Sequence, residues 1–104
     1  EAAREMNIDA TKRASLYKRA CDLGHNQSCI NEADNLFAGR GVNKDPQAGL
    51  KLLTATCDAN DKTACERLMS VYKNNKDVKD PAKADDVKKR ACDRGVKLYG
   101  CGKP

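Results

Sequence analysis

Six cysteines stand in three pairs along this chain, at positions 21 and 29, 57 and 65, and 92 and 101. Paired cysteines support two chemistries, metal binding and disulfide formation. Zinc sites of the finger type hold their paired ligands two to four residues apart. Here seven residues intervene in the first two pairs and eight in the third, and the sole histidine, His25, has no second imidazole to join it. The spacing therefore predicts structural disulfides Cys21–Cys29, Cys57–Cys65 and Cys92–Cys101, no metal and no cofactor, with His25 as a loop residue. Closing a loop of roughly nine residues stabilises by about 2.5 kcal/mol on the chain-entropy estimate.

A second chemistry is hinted at by Ser15-Leu-Tyr-Lys18 and Ser70-Val-Tyr-Lys73, both of which fit S-x-x-K. That pattern sets a lysine one helical turn from a serine nucleophile, ready to take its proton. The companion motifs are missing: there is no S-D-N, and Lys62-Thr63-Ala64 departs from K-T-G at its glycine. With lysine at about one position in eight, chance matches are expected among so few serines. Oxidised cysteines exclude a Cys–His nucleophile, and no glycine-rich loop could cradle a phosphate. The expectation is a protein without catalytic residues.

The elements that must hold these cysteines recur along the chain. First cysteines return after 36 and then 35 positions, and second cysteines after 36 each time. Asp9, Asp45 and Asp80 each stand 12 residues ahead of a first cysteine, and Pro46 and Pro81 follow two of them. Aspartate is a preferred N-cap, because its carboxylate accepts from the orphan N–H groups of the first turn, and proline suits the first helical position. Each repeat thus reads as a capped helix ending in cysteine, a short loop, a second cysteine and a second helix. A period of 20 to 50 residues points to a solenoid.

On this pattern one domain covers 1–104, divided as 1–8 (the end of a preceding helix and its loop), repeat one over 9–44, repeat two over 45–79 and an incomplete repeat three over 80–104. Inward positions are expected at Ala14, Leu16, Tyr17, Ala20 and Cys21, then Ile30, Ala33, Leu36 and Phe37, then Leu50, Leu52, Leu53 and Thr56, then Leu68, Met69 and Tyr72, and last Ala84, Val87, Ala91 and Cys92. Gly24 is placed to end the first helix, and Gly39 and Gly41 to take positive φ in the following turn. At a 36-residue offset their places fall to Asn75 and Asp77, which tolerate the left-handed region better than most residues.

Aromatics make up 4% of the chain and charged residues 34%, so the core must be thin and in need of staples. Three disulfides predict an oxidising compartment, periplasmic or extracellular, with the mitochondrial intermembrane space as the alternative. No apolar run reaches membrane-spanning length, and no signal peptide is visible at Glu1, as expected of a mature or trimmed chain. The net charge of +5 is concentrated in residues 71–104, which hold ten basic and five acidic side chains. Interleaved aspartates dilute it, and stacking platforms are lacking, so a solvated face is favoured over nucleic-acid binding.

The stretch YKRACDLGHNQSCINEADNLFAGRGVNKDPQAGLKLL resembles a Sel-1-like repeat in its Ala20-x-x-x-Gly24 segment, its Leu36-Phe37-Ala-Gly39-Arg-Gly41-Val42 turn and its Asp-initiated next helix. The cysteine placement is similar to the disulfide-containing branch of that family, the Helicobacter-type cysteine-rich secreted repeat proteins. Glu32 and Ala33 depart from the family's usual Leu–Gly. The resemblance implies an all-α, right-handed α-solenoid of stacked, tetratricopeptide-like helix-turn-helix repeats, about two and a half in number. It also implies a concave surface for a protein partner, in the role of an adaptor or assembly factor, or of a periplasmic immunity protein that inhibits a secreted toxin enzyme. Some cysteine-rich members of the family are linked to penicillin binding or weak β-lactamase activity. Outward positions Arg13, Tyr17, Arg40, Lys51 and Lys88 are the expected binding residues, with core packing favoured over contact for Tyr17. The protein alone is expected to be a monomer, with no membrane or nucleic-acid partner.

Overall fold

Proline has no N–H to give to a helix ladder and clashes with the turn before it, so helices open at Pro46 and Pro81. The structure, a computed structural model, describes the backbone of residues 2–101 and the side chains of residues 10–101. It contains α1 (Ala2–Asp22), α2 (Asn26–Ala38), α3 (Pro46–Asp58), α4 (Lys62–Asn74) and α5 (Pro81–Asp93). The described residues are all-helical apart from turns and loops, and no described helix is long and apolar enough to cross a membrane. Asp45 and Asp80 cap as expected: Asp45 Oδ1 accepts from the Ala48 N–H at 3.1 Å and Asp80 Oδ1 from the Lys83 N–H at 3.3 Å. Asp9 does not begin a helix; α1 runs through it from Ala2. Alanine, glutamate, arginine and methionine precede it with no breaker, and Ala10 stands where its counterparts have proline, so nothing stops the helix there. The Asp9 side chain, and Gly102, Lys103 and Pro104, lie outside the described residues.

All three cysteine pairs are disulfides, Cys21–Cys29, Cys57–Cys65 and Cys92–Cys101. Each sits at a corner built the same way. A residue with positive φ follows the helix, and the next N–H bonds back to a carbonyl five residues earlier, the closure that satisfies the last carbonyls of a helix. The left-handed residues are Gly24, Asn60 and Gly95, with φ of 96°, 69° and 92°. The closing bonds are His25 N–H to Ala20 O, Asp61 N–H to Thr56 O and Val96 N–H to Ala91 O, at 3.0, 3.4 and 3.0 Å. At the first two corners the residue after the left-handed one then caps the next helix. Asp61 Oδ1 accepts from the Ala64 N–H at 2.9 Å. His25 does the same work, correcting its reading as a plain loop residue: its Nδ1 accepts from the Ser28 N–H at 3.3 Å and lies 2.6 Å from Ser28 Oγ.

The turn after α4 departs from expectation as well. Asn75 is extended, at φ −81° and ψ 114°, not left-handed. Its Oδ1 accepts from the Asp77 N–H at 2.9 Å, and Val78 N–H reaches Asn75 O at 3.1 Å. A side chain that can imitate a backbone turn makes positive φ unnecessary.

The backbone groups into two compact units, one reaching to Leu52 and one starting at Leu53. In the first, α1 packs against α2. Its buried side chains include Ala14, Cys29, Ile30 and Ala33, while Leu36 and Phe37 are half-buried. Leu16, expected inward, is 59% exposed. Gly49 lies under the Phe37 ring, where a Cβ would approach ring carbons to within 3.0 Å. In the second unit α4 packs against α5. Leu53, Cys57, Ala64, Cys65, Leu68, Val71, Ala84 and Ala91 are buried, joined by Val96 and Leu98 from the last loop.

Arg94 ties that unit together. Its Nη2 donates to Cys57 O at 3.0 Å, its Nε to Asn60 Oδ1 at 2.9 Å, and its Nη1 lies 3.8 Å from Asp58 Oδ1. A guanidinium at the C-terminal end of α3 meets both the unsatisfied carbonyls and the negative end of the helix dipole. Arg94→Ala is expected to cost about 1–2 kcal/mol, the value of a charge-assisted hydrogen bond discounted for partial exposure. Arg94→Lys should recover little of it, since an ammonium cannot copy the fork. Equilibrium urea unfolding checks this; a wild-type midpoint for Arg94→Ala would show the latch to be idle.

Candidate functional site

Gly39 and Gly41 bracket Arg40 with φ of 72° and 74°. Gly39 closes α2, with Arg40 N–H bonded to Asn35 O at 3.0 Å. Gly41 presses against α1, so closely that a Cβ there would lie 2.7 Å from the Ala10 carbonyl carbon and closer still to its oxygen. Only glycine allows this approach. It lays Arg40 beside the α1 face that carries Ala10, Arg13 and Tyr17, residues at the three- and four-residue spacings of one helical side. Asn31, Asp34 and Asn35 face them from α2. These seven residues line a groove of about 150 Å³.

Three of the five expected binding residues, Arg13, Tyr17 and Arg40, therefore meet at one place. Arg13 and Arg40 are exposed and Tyr17 half-buried. Among the described residues neither guanidinium has a hydrogen-bond or ion-pair partner for its side chain. Asn35, absent from the expected set, is only 8% exposed and its side chain makes no hydrogen bond among the described residues. Asn31 Oδ1 accepts from Gln27 Nε2 at 3.3 Å. The arrangement is rich in donors and suits an acceptor-bearing ligand.

The other two expected residues lie elsewhere. Lys51 is exposed on α3. Lys88 is half-buried, not freely outward, because its side chain runs along the unit to reach Gly100, whose Cβ, if present, would stand 2.5 Å from the ammonium. With Ser70, Lys73, Asp85, Leu98 and Tyr99 it lines an open depression of about 410 Å³, where Tyr99 is 96% exposed. In a third groove, of about 260 Å³, Lys83 Nζ stands 6.0 Å from the centroid of the Tyr72 ring.

The S-x-x-K pairs lack the hydrogen bond their chemistry uses. Lys18 Nζ lies 3.5 Å from Asp22 Oδ2, and Ser70 Oγ accepts from Asn74 Nδ2 at 3.4 Å. Burial raises the Glu32 carboxyl above its ordinary value, against the opposing pull of Lys18. No cluster of three or more potential metal ligands occurs among the described residues. No protein-family model and no curated protein matches this chain.

Proposed function

We propose that this chain binds another protein outside the cytosol and acts as an adaptor or assembly factor. The observation that carries the reading is the α1–α2 groove, where Arg13, Tyr17 and Arg40 converge with side-chain donors unpartnered among the described residues. Three disulfides point to an oxidising, non-cytosolic compartment. Period, corner geometry and cysteine placement support a repeat protein of the Sel-1-like kind, built as a right-handed solenoid with a concave binding face. A polar groove of this size serves recognition, and neither serine–lysine pair is among the residues that line it, which supports a binding protein over an enzyme.

The test is affinity capture from the native exported fraction at low and then high salt, read by mass spectrometry. The wild-type chain is compared with Arg13→Gln/Arg40→Gln. Partners retained by the wild type and lost by the variant, with their own activities intact in the complex, are the expected result. A single one-to-one partner whose activity is abolished would replace the adaptor with an inhibitor of the immunity type. Identical capture by both chains would sink the groove as the binding face.

A further inference from the structure

The groove between α1 and α2 carries polar groups where the following repeat carries core. Thirty-six residues on from Tyr17 and Asn35 stand Leu53 and Val71, both buried. The repeat can therefore fill these two places with aliphatic side chains, and the first repeat instead fills them with a phenol and an amide. Asn35 is more than nine-tenths buried, lines the groove and is unpartnered through its side chain among the described residues. Arg13 and Arg40 flank it, unpartnered in the same sense. The acidic side chain lining the groove, Asp34, already has an interaction of its own.

Size and charge select the occupant. About 150 Å³ is well below the roughly 300–1,000 Å³ of small-molecule and cofactor pockets. It holds one side chain. Guanidiniums present planar forks of N–H donors that match a carboxylate in two-point geometry, and Asn35 and Tyr17 add neutral donors at the floor.

We propose that the α1–α2 groove receives a glutamate or aspartate side chain of a protein partner, gripped by Arg13 and Arg40 and seated on Asn35 and Tyr17. This rests on the protein-binding reading above. The two glycines around Arg40 are then part of the receptor, because they set the second guanidinium against α1.

The experiment is an NMR titration of the whole oxidised chain with end-blocked tetraglutamate, with tetraglutamine and with inorganic phosphate. Side-chain N–H signals of Arg13, Arg40 and Asn35 are followed. Tetraglutamate should shift them saturably, at least tenfold more tightly than phosphate, and tetraglutamine should not. Arg13→Gln/Arg40→Gln, two exposed substitutions that leave the fold intact, should weaken tetraglutamate at least tenfold. Asn35→Val, which copies the following repeat, should weaken it while keeping the helical circular dichroism. Equal shifts at Lys51 and Lys73, equal binding of phosphate, or unchanged binding by the arginine variant would overturn the proposal. A captured partner indifferent to the arginine variant would overturn the groove and leave the protein-binding reading standing. Saturable tetraglutamate binding with no captured partner would support the groove and overturn that reading.

Discussion

Complete reduction and alkylation of the three disulfides is expected to lower the melting temperature by at least about 20 °C. Each bond closes a loop eight or nine residues long, for which chain entropy gives about 2.5 kcal/mol. Three together approach the whole stability of a small domain, about 5–15 kcal/mol. A loss of 1 kcal/mol moves the midpoint of a chain of this size by roughly 4–8 °C. The core has little in reserve, since its large, fully buried side chains are few, among them Ile30, Leu53 and Leu68. Circular dichroism of the alkylated chain checks this. A curve overlaying that of the oxidised protein would mean that the corners hold through their hydrogen bonds alone.

Gly41→Ala is the second large effect. The left-handed φ of 74° costs an alanine about 1–2 kcal/mol by itself, and its Cβ would meet the backbone carbonyl of Ala10, which cannot swing aside as a side chain can. A total of about 3 kcal/mol or more is expected. Gly24→Ala is the control. Its φ is also left-handed, at 96°, but nothing lies within 4 Å of the added atom, so about 1–2 kcal/mol is expected. Urea midpoints separate the two. Equal losses would mean that the turn after α2 does not press on α1. Gly41→Ala should also weaken tetraglutamate binding at temperatures where the chain stays folded, because Arg40 moves with the turn.

Much of the fold was legible because the devices that make it are local. Asp45, Asp80, Gly24 and the three disulfide pairs act within a dozen residues of one another, and spacing alone reveals them. What the sequence reading missed or misread has equally local causes. Asn60 takes the left-handed place of Gly24, a substitution that asparagine permits, and the place was visible only once the corners were aligned. His25 caps α2 where Asp61 caps α4, and imidazole is not a usual cap. Burial was harder to foresee. Leu16 has the right period and still faces solvent, while Val96 and Leu98 lie in a loop, where helical periodicity says nothing, and are buried. The groove was half legible. Arg13 and Arg40 could be picked as outward residues and Tyr17 as a candidate whose period favoured core packing, but Asn35 lies off the Ile30, Ala33, Leu36 and Phe37 face expected inward and yet is buried. The comparison with Val71, one repeat on, was the available signal.

Each corner carries its own left-handed residue, its own closing hydrogen bond and its own covalent bond, and none of the three bonds reaches beyond the corner it belongs to. Six cysteines allow fifteen pairings, yet every partner here is the next cysteine along the chain. Oxidation can thus proceed in the order of synthesis, each thiol finding its mate before the following pair has emerged. Inheritance gains the same independence. Copying some thirty-six residues would add a joint that arrives complete, so such a chain can lengthen or shorten by whole units without any existing bond having to change hands.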